Sequence, residues 1–581
     1  MDTATREVLT TLRPDERLRP VATSHTVAPP VARIALTVTV LALVVGLVLR
    51  LWYLFHVPTN SDEAIVGFMA NDALHGHFFA FYWGQAYGGG EPYVVAALFS
   101  AFGHSAFVLG LTGIVLSAVA SLLTWRAACR LVSSPALAAL TGALVWVMPD
   151  AAIANSTREY GFRGVTMACG LACLFLSLRL LDGSHSWADI GALGLFAGIG
   201  WWSSPEIGYF LLPSALITVG AIAKSALPWR RWMLRLAGAA AIFCLGALPW
   251  LWANVNSGFA SLKPSSFPNG AITPLNTGFG GRLSIFVRLS LPIELNLRRL
   301  GSGAFLFGGA GTGTRHALGL CITVAVIAVV VVAVLLCVAR GGRWLAIGIT
   351  VLAFPLLFAA QPGTWFWPDG RYVVFLGPLL ALAVVAGLEV ASRHVTRGRA
   401  PSDLATASLA TLAMTAILAI GIVASVFATA ADNATTVPAL VSGWGNPNAP
   451  VDRAVAALKA AGIRDGFADY WVAYKIDLLS GDTMTITPAR GDVDRQKSFD
   501  RTVDAAPRQA WIFVPATQTS AGYEQFSTTP VIAGPDGISE AQFVAALQAL
   551  NVPYRTVDAG IVSAVIPDRK VTVRQVEAAG A

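Results

Sequence analysis

Charged side chains are scarce in this sequence. Asp, Glu, Lys and Arg make up 13% of its 581 residues, whereas hydrophobic residues make up 55%. Soluble globular domains carry about 25% charged residues, so this composition excludes a soluble protein of such length. It predicts a polytopic α-helical membrane protein, because a helix needs about 20 mainly apolar residues to cross roughly 30 Å of hydrocarbon.

Cysteine is also scarce, and the N-terminal segment lacks a cleavage signal. All six cysteines lie in or at the edge of predicted spans, so neither a disulfide framework nor a CxxC metal site is expected. Residues Met1 to Pro30 are polar and carry several arginines, and no small-residue cleavage site follows the first apolar run. This segment is therefore expected to be a cytoplasmic tail, not a signal peptide.

Long apolar runs are abundant, and about eleven of them have the length of a membrane span. They lie near 31–55, 105–125, 134–150, 160–181, 187–202, 205–223, 235–255, 316–338, 344–361, 371–391 and 404–430. Basic residues precede the first run and fill alternate short loops, which predicts that those segments face the cytoplasm. The net charge of +7 is then a topology signal and does not indicate nucleic-acid binding.

The first outer loop, residues 56–104, has no lysine or arginine but carries an acidic pair, Asp62 and Glu63. Two amphipathic stretches, Asp62 to His75 and Glu91 to Phe102, are predicted to be helices that lie in the membrane interface. An aromatic and glycine-rich segment separates them. Ser61 before the acidic pair favours a plain helix start, since Ser is a good N-cap and acids suit the first turn.

Later outer loops carry further charges at predicted span entrances. The loop from Asp150 to Arg163 contains Arg158 and Glu159, and such charges are costly unless they face protein, water or a ligand. A structural alternative is a helical pair of Glu159 with Arg163. Glu206 could touch a substrate or cap a helix, and the long segment 256–315, with Glu294, could cover a cavity.

The composition changes after Ala431. Periodicity predicts helices at 450–462, Val472 to Leu479 and 539–550, and strands at Met484 to Thr487, Trp511 to Val514, 554–557 and 561–566. About 150 residues suffice to bury a separate core, so 431–581 is predicted to be a soluble extracytoplasmic α/β domain. Trp471 and Tyr474 are expected in the core of this domain, with Lys475 exposed to solvent. The alternative is that the segment from Asp469 to Lys475 has a functional role.

Several of these features together resemble the GT-C superfamily of membrane glycosyltransferases. They are an acidic pair after the first span, two interfacial helices, an outer loop with Arg and an acid, and a late Arg-Tyr at a span entrance. The resemblance covers 31–430 and is to the protein O-mannosyltransferase and aminoarabinose transferase clan, including its bacterial branch. It rests on the phrases Asn60-Ser61-Asp62-Glu63-Ala64, Trp83-Gly84-Gln85-Ala86-Tyr87-Gly88-Gly89 and Gly200-Trp201-Trp202-Ser203-Ser204-Pro205.

The resemblance implies roles for named residues. Asp62 would be the general base, Glu159 would assist it, and Glu63 would orient the acceptor or merely cap its helix. Leaving-group stabilisation needs a fixed cation near the phosphate, and Arg371 is the leading candidate. Further candidate ligands of the substrate are Arg158, Arg163, Trp83, Tyr87 and Tyr372. Trp365 and Trp367 near Arg371 are more typical of interfacial anchoring.

The resemblance also implies a function. Such an enzyme would move a hexose or pentose from a polyprenyl phosphate to a cell-envelope acceptor on the outer face of the plasma membrane, with inversion. No obligatory metal is expected, although Asp62, Glu63 and Glu159 could gather around a divalent cation. A departure is that some relatives carry a basic residue near the first loop, whereas none occurs from Leu51 to Trp125, so donor binding is expected to depend on later loops.

Two other classes of function fit the same composition. A transporter or lipid flippase would also be a bundle of spans, with Asp62 or Glu159 as a coupling acid. Against it, most acids lie at the outer ends of spans and no internal repeat is evident. A non-catalytic carbohydrate-binding or assembly protein is the third class, and it would tolerate replacement of Asp62.

Overall fold

A computed structural model describes most of the chain. The described residues are 27–85, 87–159, 161, 163–262, 278–297, 314–360, 372–396, 403–436, 445–489, 495–515 and 534–580. Arg371, Trp365 and Trp367 lie outside them. Much of the segment 256–315 also lies outside, so its predicted role as a cover over a cavity stays a prediction.

The first three quarters of the chain is helical. Its helices are Pro29–His56, Ser61–Leu74, Glu91–Phe102, Ala106–Leu131, Pro135–Val147, Asp150–Asn155, Arg163–Leu181, Trp187–Ser203, Gly208–Lys224, Trp229–Gly246, Leu248–Ser257, Phe279–Ile285, Leu291–Glu294, Thr314–Arg340, Gly342–Ala360, Leu376–Thr396 and Asp403–Thr436. By length and composition, eight helices of the described part could cross a membrane, or nine if Trp229–Gly246 and Leu248–Ser257, bent by 66°, form one span.

The two remaining predicted spans are shorter helices. Pro135–Val147 has 13 residues and Trp187–Ser203 has 17, and a rise of about 1.5 Å per residue leaves the first well short of the hydrocarbon thickness. The helix Leu376–Thr396 lies at the centre of the bundle. Of the residues in its most apolar stretch 78% are buried, against 22% of those in the stretch Thr323–Arg340. The chain is a multi-pass membrane protein.

The first outer loop forms the two predicted helices, Ser61–Leu74 and Glu91–Phe102. Asn60, not Ser61, is the N-cap of the first. The Asn60 side chain accepts from the Glu63 backbone N–H at 3.0 Å, and Glu63 Oε2 accepts from the Asn60 N–H at 2.8 Å. This capping box satisfies two N–H groups reciprocally. Ser61 instead donates its hydroxyl to the Trp471 carbonyl at 2.9 Å.

The C-terminal region is a small α/β domain. Its helices are Ala449–Ala460, Tyr470–Ser480, Lys497–Ala505, Glu540–Ala549 and Val573–Ala578, and its strands are β1 Asp465–Ala468, β2 Thr485–Pro488, β3 Ala510–Phe513, β4 Tyr554–Asp558 and β5 Ser563–Pro567. The sheet order is β2-β1-β3-β5-β4. Strands β2, β1 and β3 are parallel, whereas β5 runs antiparallel to β3 and β4. The predicted elements are confirmed; β1, Lys497–Ala505 and Val573–Ala578 were not predicted.

The C-terminal domain packs on the first outer loop. Tyr470, Tyr474 and Leu478 belong to the same buried cluster as Ile65 and Met69 of the outer-loop helix. Asn448 lies at the edge of this interface. Its carboxamide oxygen accepts from the Thr59 N–H at 3.1 Å, and its carboxamide N–H donates to the Thr59 hydroxyl oxygen at 3.2 Å. The outer loop and the domain therefore form one continuous apolar interface.

This interface constrains the number of membrane crossings. The outer-loop helix follows the first span and the domain follows the last, so contact between them requires an even number of crossings in between. Eight spanning helices would leave seven after the first, which is odd, whereas nine leave eight. Nine spans, with the bent pair Trp229–Gly246 and Leu248–Ser257 counted as one, meet this requirement, and so do eleven if both shorter helices also cross.

Candidate active site

Asp62 lies in the first turn of the helix Ser61–Leu74 and is partly buried beneath the C-terminal domain. The Tyr470 hydroxyl donates to Asp62 Oδ1 at 2.5 Å, and the Tyr82 hydroxyl donates to the Asp62 backbone carbonyl at 3.0 Å. A hydrogen bond to an ionised acceptor is stronger than one between neutral groups. The side chain of Tyr470, which belongs to the C-terminal domain, therefore holds one carboxylate oxygen of Asp62 in place.

Arg495 is the cation of this cluster. Its guanidinium lies 5.5 Å from the ring centre of Tyr82 and 5.8 Å from that of Tyr470, and its backbone N–H donates to the Tyr474 hydroxyl at 2.9 Å. When the Gln85 carboxamide is oriented with its oxygen toward Arg495, Arg495 Nη2 donates to that oxygen at 3.1 Å. Burial lowers the pKa of Arg495, but Tyr470, Tyr82 and Asp62 raise it by more. The cluster thus places a permanent positive charge beside Asp62.

Glu63 points away from this cluster. Besides its capping bond to Asn60, its Oε2 lies 3.7 Å from Arg158 Nη1. Burial raises the pKa of Glu63 to about 6, and Arg158 opposes that shift. Of the two roles implied for Glu63, capping is therefore present in the structure, together with an ion pair that orients Arg158. No described contact bears on the second role, orienting an acceptor.

Lys475 is buried, so the prediction that it faces solvent is wrong. Its exposed fraction is 0%, and Glu63, Arg158 and Asp452 are close enough to affect its charge. The helix Tyr470–Ser480 turns Lys475 toward the outer loop because it packs on the helix Ser61–Leu74. Tyr474 is fully buried, as expected, and Trp471 is partly buried against the same cluster.

Replacing Lys475 with methionine is expected to change how stability depends on pH. Burial lowers the Lys475 pKa to about 7 in the folded protein, against about 10.4 in an unfolded chain. Between these values the unfolded chain binds more protons, so wild-type stability rises with pH. The Tm of Lys475→Met minus that of wild type should be largest below about pH 7 and shrink toward about pH 10.

The control for this series is Lys497→Met, because Lys497 is exposed on another helix of the same domain. Thermal unfolding of the full-length protein in detergent measures both variants across the same buffers. A Tm difference for Lys475→Met that does not vary with pH would show that the buried ammonium carries no desolvation cost.

Glu159 lies on the other side of the outer loop, in a pair of acids. It is 1% exposed, and neither of its oxygens accepts a hydrogen bond from a basic group of the described residues. Burial raises the Glu159 pKa well above its ordinary value, and the facing carboxyl of Glu91 raises it further. The helical pair of Glu159 with Arg163 is not formed. Burial and the neighbouring carboxyl of Glu91 therefore both favour the neutral form of Glu159.

Glu91 begins the second outer-loop helix, where it is 3% exposed. Its Oε2 accepts from the Val165 N–H at 3.0 Å, which ties the outer loop to the start of the span Arg163–Leu181. A carboxylate at an N-terminal helix turn is electrostatically favourable. The sequence shows Glu91 only as a helix start, and nothing in it indicates the pairing with Glu159.

A cavity brings these charges together with apolar walls. It bounds about 730 Å³ of space free of protein atoms, part of it open to solvent. Its charged lining residues are Glu91, Arg158, Glu159 and Arg163, and its apolar lining includes Leu116, Val145, Met167 and Val374. Asp62 does not line this cavity. Arg158 connects the two places, because it lines the cavity and pairs with Glu63, the neighbour of Asp62.

Arg163 and two predicted aromatic residues form a third group. The Arg163 guanidinium lies 4.7 Å from the ring centre of Tyr372. Tyr87 is nearby: burial raises its pKa, Tyr372 adds to that shift, and Arg163 opposes it. Glu206 is 7% exposed and accepts from the Ser204 hydroxyl at 3.3 Å, in the short turn Pro205–Ile207 that precedes the helix Gly208–Lys224. The structure thus brings Arg163, Tyr87 and Tyr372 together; Arg371 lies outside the described residues.

The aromatic loop is tied to the end of the helix Trp187–Ser203. Trp202 Nε1 donates to the Ala80 carbonyl at 2.5 Å, and the Gly88 N–H donates to the Ser203 carbonyl at 2.9 Å. Trp83 packs against the cluster of the outer-loop helices. The phrases around residues 83–89 and 200–205, far apart in sequence, are therefore in contact.

Gly89 is expected to tolerate no side chain. A Cβ there would lie 1.9 Å from the Ala80 carbonyl oxygen and 2.8 Å from Trp202 Nε1. Gly89→Ala should therefore destabilise the protein by about 1–3 kcal/mol, as overpacking does, and displace the loop that carries Tyr82 and Tyr87. Gly90→Ala is the matched control, since its nearest contact would be an ordinary 3.6 Å. Equal Tm values for the two variants would contradict this expectation.

Comparison with known proteins shows the fold. No family model and no curated protein matches the chain. ArnT from Cupriavidus metallidurans, in the apo state, is 14% identical and matches with a TM-score of 0.56 over 91% of this chain and 97% of that one. The same protein bound to undecaprenyl phosphate matches with a TM-score of 0.54, at the same identity and coverage.

A third solved structure is the Archaeoglobus fulgidus oligosaccharyltransferase tethered to an acceptor peptide. It is 13% identical, with a TM-score of 0.45 over 84% of this chain and 70% of that one. The similarity to ArnT over nearly its whole length shows that this chain has the GT-C fold. The resemblance inferred from the sequence is confirmed at the level of the fold.

Proposed function

We propose that this protein is a membrane glycosyltransferase that takes a sugar from a polyprenyl phosphate and transfers it to a cell-envelope acceptor. The observation that carries this proposal is the pairing of two sites. A held carboxylate, Asp62, lies in the outer loop, and beside it is a cavity with arginines and apolar walls. A lipid-linked sugar needs both kinds of surface. The GT-C fold supports the proposal, since ArnT of the same fold binds undecaprenyl phosphate.

The cavity is proposed as the donor site. Its apolar lining would accommodate prenyl units, while Arg158 and Arg163 would bind the phosphate, because guanidinium groups present paired N–H donors to phosphate oxygens. Glu159, which lines the same cavity, remains the proposed acid that assists Asp62. Tyr87, Tyr372 and Trp83 remain proposed sugar contacts, and Arg371 a proposed additional phosphate ligand.

Asp62 is proposed as the general base. An acceptor hydroxyl attacks the anomeric carbon, its proton passes to the Asp62 carboxylate, and the bond from the anomeric carbon to the phosphate oxygen breaks. The electron pair of that bond stays on the polyprenyl phosphate, where the arginines stabilise the added charge. Attack opposite to the leaving group inverts the anomeric carbon. A positioned base contributes about 10²- to 10⁴-fold to such a step.

The proposal includes an orientation. The outer loop and the C-terminal domain would lie outside the cytoplasm and the N-terminus inside, as the basic loops predict. The outer loop and the C-terminal domain would then meet donors presented on the outer leaflet. Hexoses and pentoses are equally compatible with the proposal, and no obligatory metal is part of it.

The transporter or flippase alternative is favoured by one observation, the buried pair of Glu91 and Glu159. Carboxyls inside a membrane protein can couple proton movement to transport. Such a protein would move a lipid-linked sugar across the bilayer without breaking the bond between the sugar and the phosphate. The products therefore separate the two functions.

The test uses full-length protein in liposomes with a panel of polyprenyl phosphates that carry labelled mannose, glucose or arabinose. Cell-envelope extracts supply the acceptors. The expected result is label on an acceptor together with an equal amount of released polyprenyl phosphate. Movement of intact donor between leaflets without release would support the flippase, and no change in any donor would exclude both functions for this panel.

A further inference from the structure

The cluster around Asp62 contains a cation that the donor cavity does not use. Arg495 comes from the C-terminal domain and does not line the cavity that holds Arg158 and Arg163. Within the part of the chain that the structure describes, no carboxylate lies within 4.0 Å of its guanidinium. Its Nε is buried without an acceptor, whereas its Nη atoms contact the Gln85 carboxamide.

The geometry of the proposed reaction, on which this inference rests, places Arg495 on the acceptor side. In an in-line displacement the attacking hydroxyl and the leaving phosphate lie on opposite faces of the anomeric carbon. The base Asp62 must touch the hydroxyl, so groups packed around Asp62 face the acceptor. Arg495 lies over Tyr470, which hydrogen-bonds to Asp62. The arginines of the cavity, Arg158 and Arg163, would then bind the donor.

The charge balance of the cluster points to the same ligand. Asp62 and Arg495 together are neutral before the reaction, and the cluster becomes positive when Asp62 accepts a proton. A negative group on the acceptor would offset this charge in a partly buried site, where electrostatic interactions are stronger than in water. The guanidinium fork suits phosphate and carboxylate groups alike.

We propose that Arg495 binds an anionic group of the acceptor, a phosphate or a carboxylate, close to the hydroxyl that receives the sugar. The C-terminal domain then selects acceptors by charge. This site supplies, from the far end of the chain, a cation that the first outer loop lacks. It differs from the donor phosphate site in its residues and in the side of the sugar that it faces.

The test measures binding directly, so it does not depend on turnover. Full-length protein in nanodiscs is first saturated with undecaprenyl phosphate to fill the donor side. Glycerol 3-phosphate, glycerate and glycerol are then titrated by calorimetry. Wild type should bind the two anions at least about tenfold more tightly than glycerol, as charge-assisted hydrogen bonds predict, and the stronger of the two identifies the anionic group.

Three variants complete the test. Arg495→Gln should lose about tenfold or more in anion affinity, Arg495→Lys should keep part of it, and Arg501→Gln should match wild type because Arg501 is exposed. Equal binding of anions and glycerol by wild type would overturn the proposal even if Arg495→Gln does not fold. Anion affinity unchanged in Arg495→Gln would overturn it as well.

The two proposals can fail separately. Sugar transfer by wild type with anion binding independent of Arg495 would leave the glycosyltransferase and remove the acceptor site. Anion binding that depends on Arg495, without transfer from any donor, would leave an anion site and remove the proposed reaction.

Discussion

Asp62→Asn is expected to lower kcat for sugar transfer by about 10²- to 10⁴-fold, the usual contribution of a positioned base. Asparagine keeps the size of the side chain and can still accept a hydrogen bond from Tyr470 through its carbonyl oxygen. It cannot take a proton from the acceptor hydroxyl. Initial rates at saturating donor and acceptor, in liposomes, measure the effect.

The matched control is Asp72→Asn. Asp72 lies on the same helix, but its side chain is 39% exposed. Its Oδ1 lies 3.7 Å from His77 Nδ1. This variant should transfer sugar at the wild-type rate. Full transfer activity of Asp62→Asn would remove Asp62 as the base and leave proton transfer to another group.

Tyr470→Phe is expected to lower kcat by about 10- to 100-fold, because a hydrogen bond to a charged group is worth about 1.5–3 kcal/mol. The change removes one oxygen atom and leaves the ring that packs between the domain and the outer loop. Tyr470 positions Asp62 without touching the reacting atoms. The KM for the donor should therefore stay at the wild-type value, whereas a general loss of structure would change it.

Tyr554→Phe provides the comparison for this variant. Tyr554 lies on strand β4 and packs against the core on the other side of the domain. Its activity should equal that of wild type. If Tyr470→Phe also has wild-type kcat, the short contact to Asp62 has no role in catalysis.

Much of the fold could be predicted because its signals are local. Apolar length identifies the spans, and period and turn residues identify most elements of the C-terminal domain. The two outer-loop helices also follow from local patterns. The cap of the first was assigned to Ser61 instead of Asn60, because both are good caps and only the fold shows that Ser61 is turned toward Trp471.

The partners of the candidate site could not be predicted in the same way. Position in the predicted loops and the resemblance to a family suggested the site residues. They are Asp62, Glu63, Trp83, Tyr87, Arg158, Glu159, Arg163, Arg371 and Tyr372. The contacts of Glu91 and Arg495 were missed, and Tyr470 and Lys475 were named only as members of the segment Asp469 to Lys475, because the environment of all four depends on contacts between distant parts of the chain. A charged side chain such as Lys475 is normally exposed, and only the packed domain reverses that expectation.

The contact between Tyr470 and Asp62 also constrains when, during synthesis of the chain, the site can form. The two residues are separated by 408 positions, so a ribosome makes Asp62 long before it makes Tyr470. Domains generally fold in the order of synthesis, and every span must be in place before the last domain can reach the outer loop. A nascent chain therefore contains Asp62 before it contains the tyrosine that holds it, and the contact forms only after the C-terminal domain has been made.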